Sequence, residues 1–98
     1  MIKHLKNEEE FENHVKSGVT LVDFYADWCG PCRRMGEVLE DLDEINVLKI
    51  NTDEFPKIAT SFGVMSIPTL ILFIDGAEYG KLIGLQSKDD ILDFVNKR

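Results

Sequence analysis

Apolar runs alternate with helical patterns along the chain. Runs rich in β-branched, aromatic and aliphatic residues predict strands at 19–25, 47–50 and 69–74. Between the first two runs, apolar residues recur at spacings of three and four from position 35, which predicts a helix ending at about residue 43. A strand, a helix and a second strand in this order indicate a parallel βαβ unit.

The segments around these runs predict the rest of the architecture. They are an edge strand at 2–5, a first helix at about 8–17, a short helix between Asp53 and Gly63, a returning strand at 79–83 and a last helix that includes 91–95. Asn7, Asp53 and Ser87 are suited to cap the helices, and Asp75-Gly76 predicts a tight hairpin turn. The order β-α-β-α-β-α-β-β-α predicts an α/β fold with a mixed central sheet between helices.

Length and charge narrow the possible functions. A chain of 98 residues corresponds to a single domain, 1–98. Its net charge of −7 disfavours nucleic acid as a partner, because phosphates would be repelled. The longest apolar runs, such as 70–74, are too short to span a membrane. Without an export signal at the start of the sequence, we expect a cytoplasmic protein, whose thiols are kept reduced.

Both cysteines lie in the segment Trp28-Cys29-Gly30-Pro31-Cys32, where the second predicted strand gives way to a helix. A two-residue spacer at a helix start brings two sulfurs within bonding reach, with Cys29 exposed before the helix and Cys32 in its first turn. Free backbone N–H groups and the helix dipole favour the thiolate form of Cys29. Pro31 suits the first helical position, and Gly30 lets the chain turn. This pattern predicts a reversible dithiol.

The main alternative for a Cys-x-x-Cys pair is half of a zinc site. Structural zinc almost always needs four ligands. With no other cysteine, the remaining ligands would be His4, His14 or carboxylates, and neither histidine has ligand spacing. Redox chemistry is therefore the preferred interpretation, and we expect neither a metal nor a bound cofactor.

Two charged residues interrupt apolar strands. Asp23 is either a side chain that reaches water at the margin of the sheet or a buried carboxyl with a raised pKa that passes protons to and from Cys32. Lys49 either extends its ammonium to the surface or places it near Asp23, where it would oppose that rise in pKa. The sequence pattern alone leaves both pairs of alternatives open.

The segment from Asp23 to Cys32, followed by Ile67-Pro68-Thr69 and Gly84, resembles the thioredoxin family. The match runs in one register from the first helix to the last. The resemblance implies a thioredoxin fold, a three-layer α/β/α sandwich around a mixed sheet of four to five strands. It also favours the buried, proton-passing interpretation of Asp23.

The resemblance assigns the two sulfurs different roles. It implies that Cys29 is the attacking thiolate, which forms a mixed disulfide with a target protein. Cys32 is then the resolving thiol, which attacks Cys29 and releases the reduced target. The argument from the helix start leads to the same order, because the exposed and dipole-stabilised sulfur should attack first.

The resemblance also implies a substrate-binding surface around the cysteines. Pro68 is expected to be cis and to pack beside the pair, where it blocks metal ligation and exposes the backbone of Ile67 to an extended target chain. Trp28, which by residue type alone belongs more often to a core, is expected over the rim of the site. The other expected members of the surface are Gly30, Pro31, Val64, Met65 and Gly84.

Three features depart from the family pattern. Glu37 stands where the family often has a proline that kinks the second helix, the segment 42–47 is short, and Tyr25 replaces the commoner tryptophan. None removes a catalytic group. They bear on partner specificity, stability and redox potential.

The leading hypothesis is a monomeric protein-disulfide reductase and electron carrier. Its expected partners are a thioredoxin reductase and disulfide-containing targets such as peroxidases, ribonucleotide reductase or sulfoxide reductases, with no nucleic acid or membrane partner. The alternatives are a dedicated electron donor to one target and a thioredoxin-fold binding module in which the cysteines are incidental.

Overall fold

A mixed sheet forms the centre of the computed structural model, which describes residues 1–97. Within those residues the strands are β1 (Ile2–His4), β2 (Val19–Tyr25), β3 (Val47–Asn51), β4 (Thr69–Ile74) and β5 (Ala77–Ile83). Their order across the five-stranded sheet is β1-β3-β2-β4-β5. β1 and β2 pair with β3 in parallel, whereas β4 is antiparallel to both β2 and β5. The predicted parallel βαβ unit and mixed sheet are confirmed.

Helices cover both faces of the sheet. They are α1 (Phe11–Val15), α2 (Gly30–Glu40), α3 (Pro56–Ser61) and α4 (Lys88–Asn96). Alternating residues of β2 point to opposite faces, so that Val22 and Phe24 pack in the layer that contains α1 and α3. Leu21 packs in the layer that contains α2 and α4. Asp23 lies two residues after Leu21 on β2, so its side chain points to the same face of the sheet, the one that α2 covers.

Two helices are shorter than predicted. Glu8–Glu10 form a separate 3₁₀ turn before α1, and the Asn7 side chain donates to Glu10 Oε1 instead of capping the helix. The second shortened helix is α2, which ends at Glu40 rather than near residue 43. The amides that follow bond to carbonyls three residues back, which tightens the last turn.

The predicted helix caps have different outcomes. Ser87 does cap α4, since its Oγ accepts from the Asp90 amide at 3.1 Å. Asp53 does not cap α3, which begins at Pro56 after Phe55. Proline suits the start of a helix because its missing N–H has no partner to lose there. The carboxylate of Asp53 is free for a contact with the cysteine segment, described below.

The hairpin between β4 and β5 has the turn that its sequence predicts. Asp75 and Gly76 both have positive φ angles, 49° and 87°, as a type I′ turn requires. Asp75 Oδ1 also accepts from the Gly18 amide at 2.7 Å, which ties the turn to the start of β2. β5 begins directly after the turn, at Ala77.

Candidate active site

The two cysteines lie at the N-terminus of α2. Cys29 precedes the helix with an extended backbone, and Cys32 is in its first turn. Their sulfurs form a disulfide, with the Cα atoms 5.2 Å apart. Cys29 is 5% exposed and Cys32 1%, which corrects the expectation of an openly exposed Cys29. It is still the more accessible of the two, but Tyr25 and Ile67 pack against the pair.

A backbone N–H group of the first helical turn is directed at the sulfur of Cys29. The amide of Cys32 lies 3.2 Å from Cys29 Sγ and donates to it. Pro31 is the second residue of α2 rather than the first, and its lack of an N–H costs no hydrogen bond in the first turn. In the reduced protein the Cys32 amide and the helix dipole favour a thiolate at Cys29.

Asp23 and Lys49 face each other beneath α2. They are register partners on β2 and β3, and Lys49 Nζ lies 3.7 Å from Asp23 Oδ2. Asp23 has no accessible surface, so the interpretation as a side chain that reaches water is wrong. Burial raises the pKa of Asp23 to about 6, and the Lys49 ammonium opposes that rise. The Lys49 side chain is only 16% exposed. Its ammonium therefore lies beside Asp23 rather than extending to the surface.

An open groove of about 540 Å³ adjoins Cys29. The expected surface residues that line it are Trp28, Gly30, Pro31, Val64, Met65 and Ile67. The sequence interpretation missed Thr52, Ala59 and Ser66, which also line the groove. These small residues carry no chemical motif, and only the folded chain brings them to the cysteines.

Two expected members of the surface do not line this groove. Pro68 is buried, and the Gly84 amide donates to the Pro68 carbonyl at 2.8 Å. The Ile67–Pro68 peptide bond is cis, as the resemblance implies. Through Ile67 this segment does reach the cysteines, because the Ile67 carbonyl oxygen lies 3.9 Å from Cys29 Sγ.

Trp28 lies on the rim of the groove. It is 70% exposed, which excludes a core position. Its Nε1 donates to Asp53 Oδ2 at 3.0 Å. The site therefore includes Asp53, which the sequence pattern placed only as a helix cap.

The described part of the chain has neither a cluster of metal ligands nor a membrane-spanning helix. Within residues 1–97, no group of three or more His, Cys, Asp or Glu side chains is arranged to hold a metal ion. In the same range, no helix has the length and apolar character needed to cross a membrane.

A cysteine pair that closes to a disulfide at a helix start, beside an open groove, defines a thiol–disulfide oxidoreductase. The family model named Thioredoxin matches residues 2–97. The chain is 44% identical over 95 residues to thioredoxin of Staphylococcus saprophyticus, covering 92% of this chain and 91% of that one. It is 43% identical over 95 residues to thioredoxin of Chlamydia muridarum, covering 93% of each.

Solved structures agree with this assignment. A point mutant of thioredoxin from Halobacterium salinarum superposes with a TM-score of 0.91 at 36% identity, covering 98% of this chain and 88% of that one. A second similar chain comes from a structure that concerns thiol resolution in yeast mitochondrial 1-Cys peroxiredoxin via glutathione/thioredoxin systems. It superposes with a TM-score of 0.89 at 33% identity, covering 99% of this chain and 95% of that one. The chain belongs to the thioredoxin family. It has the thioredoxin fold and is a thiol–disulfide oxidoreductase that reduces disulfides in other proteins.

Proposed function

We propose that this chain works as a single domain, 1–98, and as a general protein-disulfide reductase in which Cys29 attacks, Cys32 resolves and Asp23 carries the proton of the resolving step. The observation that supports this most is the arrangement around Cys29. Its sulfur accepts from the Cys32 amide at 3.2 Å and borders the open groove, whereas Cys32 is almost completely buried.

The electron transfer takes two exchange steps. The Cys29 thiolate attacks one sulfur of the target disulfide, the target S–S bond breaks, and the released target sulfur takes up a proton. Cys32 then passes its proton to Asp23 and attacks Cys29 Sγ, which breaks the mixed disulfide, and the second target sulfur leaves as a thiolate and takes up a proton. The Cys29–Cys32 disulfide of the structure is the product, and two electrons have passed to the target.

Asp23 is the proposed acceptor of the Cys32 proton. It is on the face of the sheet that α2 covers, and α2 carries Cys32. A pKa of about 6 leaves the carboxyl mostly ionised at neutral pH, as a base must be, yet close enough to neutrality to return the proton. Lys49 stabilises the ionised form from 3.7 Å.

The proposed substrate is an extended polypeptide segment that carries a disulfide. Exposed apolar side chains border the groove, with Trp28 at 70% and Met65 at 97% exposure. The backbone around Ile67, followed by Pro68, offers hydrogen-bonding groups beside Cys29 for a short β-type contact. Gly84, which has no side chain, adds backbone surface next to Pro68, because its amide donates a hydrogen bond to the Pro68 carbonyl.

The proposed partners follow from this chemistry. A thioredoxin reductase restores the dithiol after each cycle, and peroxidases are supported as targets by the similar solved structure that concerns a peroxiredoxin. Ribonucleotide reductase and sulfoxide reductases, which also form disulfides, are further proposed targets. We place the monomeric protein in the cytoplasm, because a reducing compartment favours the return of Cys29 and Cys32 to the dithiol.

Disulfide reduction and partner trapping test the proposal. Wild type should reduce insulin with dithiothreitol as electron source, whereas Cys29→Ser and Cys32→Ser should not turn over. In cell extract, Cys32→Ser should hold many proteins as mixed disulfides, and the double variant Cys29→Ser/Cys32→Ser none. One dominant trapped protein would instead indicate a dedicated donor, and an inactive wild type would leave only a binding module.

A further inference from the structure

The Lys49 ammonium is enclosed by groups from three directions. Asp23 Oδ2 lies 3.7 Å from Nζ, and the centroid of the Tyr25 ring lies 4.5 Å from it. On the third side is Gly36 of α2, where an added Cβ would stand only 3.2 Å from Nζ. The Lys49 side chain is 16% exposed, so the remaining direction leads toward solvent.

We propose that Tyr25 and Gly36 are positioning residues that form a slot for the Lys49 ammonium and hold it beside Asp23. This inference rests on the proposed function, because it concerns how the proton-carrying residue is tuned. The sequence pattern assigns neither residue to this task. It marks Tyr25 only as a replacement for tryptophan, and it gives no signal at Gly36.

The distance between the charges shows why a slot is needed. At 3.7 Å the contact is too long for a hydrogen bond, and neither carboxylate oxygen of Asp23 has a hydrogen-bond partner within residues 1–97. No directional bond therefore fixes the ammonium. Its distance from Asp23 is set by what surrounds it: an aromatic face that attracts a cation and a helix surface that, at Gly36, has no side chain.

The other groups around the pair do not replace the slot. Leu70 on β4 is the register partner of Asp23 and carries no charge. Within residues 1–97, Lys49 is the only cation within 4 Å of the Asp23 carboxylate. Burial, together with Asp27 and Glu54, raises the pKa of the Tyr25 phenol, so the ring stays neutral at physiological pH.

His4 is the titratable group on the far side of Lys49. It is the register partner of Lys49 on β1, and its ring is nearly perpendicular to that of Tyr25, with centroids 6.4 Å apart. A His4→Gln variant therefore belongs in the experiment, so that any titration of His4 is separated from that of Asp23.

The test is a direct titration of the Asp23 carboxyl carbon by NMR, in the oxidised and the reduced protein. Gly36→Ala fills the slot and Tyr25→Leu removes its aromatic face, so the ammonium moves toward solvent. Each variant should raise the measured pKa of Asp23 by about half a pH unit. Tyr25→Phe is the matched control: it keeps the aromatic face and should leave the value unchanged, as should His4→Gln.

A Lys49→Met background shows whether the two residues act through the ammonium. In that background Gly36→Ala and Tyr25→Leu should no longer change the titration of Asp23. Wild-type values in both variants, or equal shifts with and without Lys49, would overturn the proposal. A merely structural role would lower the melting temperature without moving the titration.

The same titration separates this inference from the proposed function. If the slot variants shift the Asp23 titration but Asp23→Asn leaves the pH profile of insulin reduction unchanged, the slot stands and the proton-carrying role of Asp23 fails. If Asp23→Asn changes the profile but the slot variants leave the titration unchanged, the slot fails and the proposed function stands.

Discussion

The ammonium of Lys49 and the carboxylate of Asp23 face each other between β3 and β2 at 3.7 Å, without a hydrogen bond. An ionised carboxyl buried in this way lacks the hydration that it has in the unfolded chain, and one ammonium at this distance compensates only in part. The pair therefore places a stability cost at the centre of the sheet, which the proposed proton-carrying role of Asp23 would explain.

That cost predicts an unusual dependence of stability on pH. The pKa of Asp23 is raised from 3.8 to about 6 in the folded protein, so the folded state binds the proton more tightly than the unfolded state. The stability of the oxidised protein should therefore fall as the pH rises from about 3.5 to about 7, by about 3 kcal/mol from this group.

The comparison with Asp23→Asn isolates this contribution. Asp23→Asn should be more stable than wild type, and the difference between their unfolding free energies should grow by about 3 kcal/mol between about pH 3.5 and about pH 7. Above that range the difference should stay constant. Urea unfolding across this range measures it, with the exposed Asp43→Asn as the control. An advantage that does not change with pH would show that Asp23 titrates alike in both states.

Removing the Lys49 charge should move the pH dependence of catalysis upward. The ammonium holds the pKa of Asp23 below the value that burial alone would impose, so Lys49→Met should leave more of the carboxyl protonated near pH 6–7. Because the proposed base must be ionised, reduction of insulin should slow several-fold at about pH 6 and much less at about pH 8. Equal slowing at both pH values would contradict this role of Lys49.

The hydrogen bond from Trp28 to Asp53 should matter for protein substrates in particular. Trp28 is 70% exposed, and this 3.0 Å bond restrains its indole on the rim of the groove. Asp53→Ala should raise the KM for insulin about fivefold, corresponding to about 1 kcal/mol for one hydrogen bond.

The control for this effect is Asp53→Asn, which keeps an oxygen acceptor and should stay close to wild type. Oxidised glutathione, which is too small to span the rim, should be reduced equally by both variants. The fluorescence of Trp28, the one tryptophan of the chain, reports whether the indole has moved. An Asp53→Ala protein with unchanged kinetics on insulin would mean that the rim binds no target.

The sequence pattern predicted the elements well where the signal was local. The strand at 19–25, the helix that follows the cysteines and the Asp-Gly hairpin turn rest on residues that are neighbours in the chain. The sequence could also predict the pairing of Asp23 with Lys49, because each charged residue interrupts an apolar run and adjacent parallel strands place the two runs side by side.

What the pattern missed depends on contacts between distant segments. Asp53 looked like a helix cap, but its partner is Trp28, 25 positions away. The burial of Cys29 depends on Ile67, 38 positions further along the chain. Gly36 has no local signal, because a glycine in a helix does not reveal which side chain occupies the space beside it.

Exposed Met65 should contribute to the docking of protein targets. It is 97% exposed and lines the groove beside Cys29, so its apolar side chain is free to be covered by a bound polypeptide. Met65→Glu should place a carboxylate in that contact and raise the KM for insulin by about 5- to 30-fold, corresponding to about 1–2 kcal/mol of lost burial. The kcat should change little, because the cysteines are untouched.

The matched control for Met65→Glu is Tyr79→Glu, which adds the same charge elsewhere. Tyr79 is 58% exposed but lies on β5, outside the groove lining. Its substitution should therefore leave the KM for insulin near the wild-type value, since a bound polypeptide would not cover that position. An equal rise in KM for the two variants would mean that added negative charge, rather than this surface, governs docking.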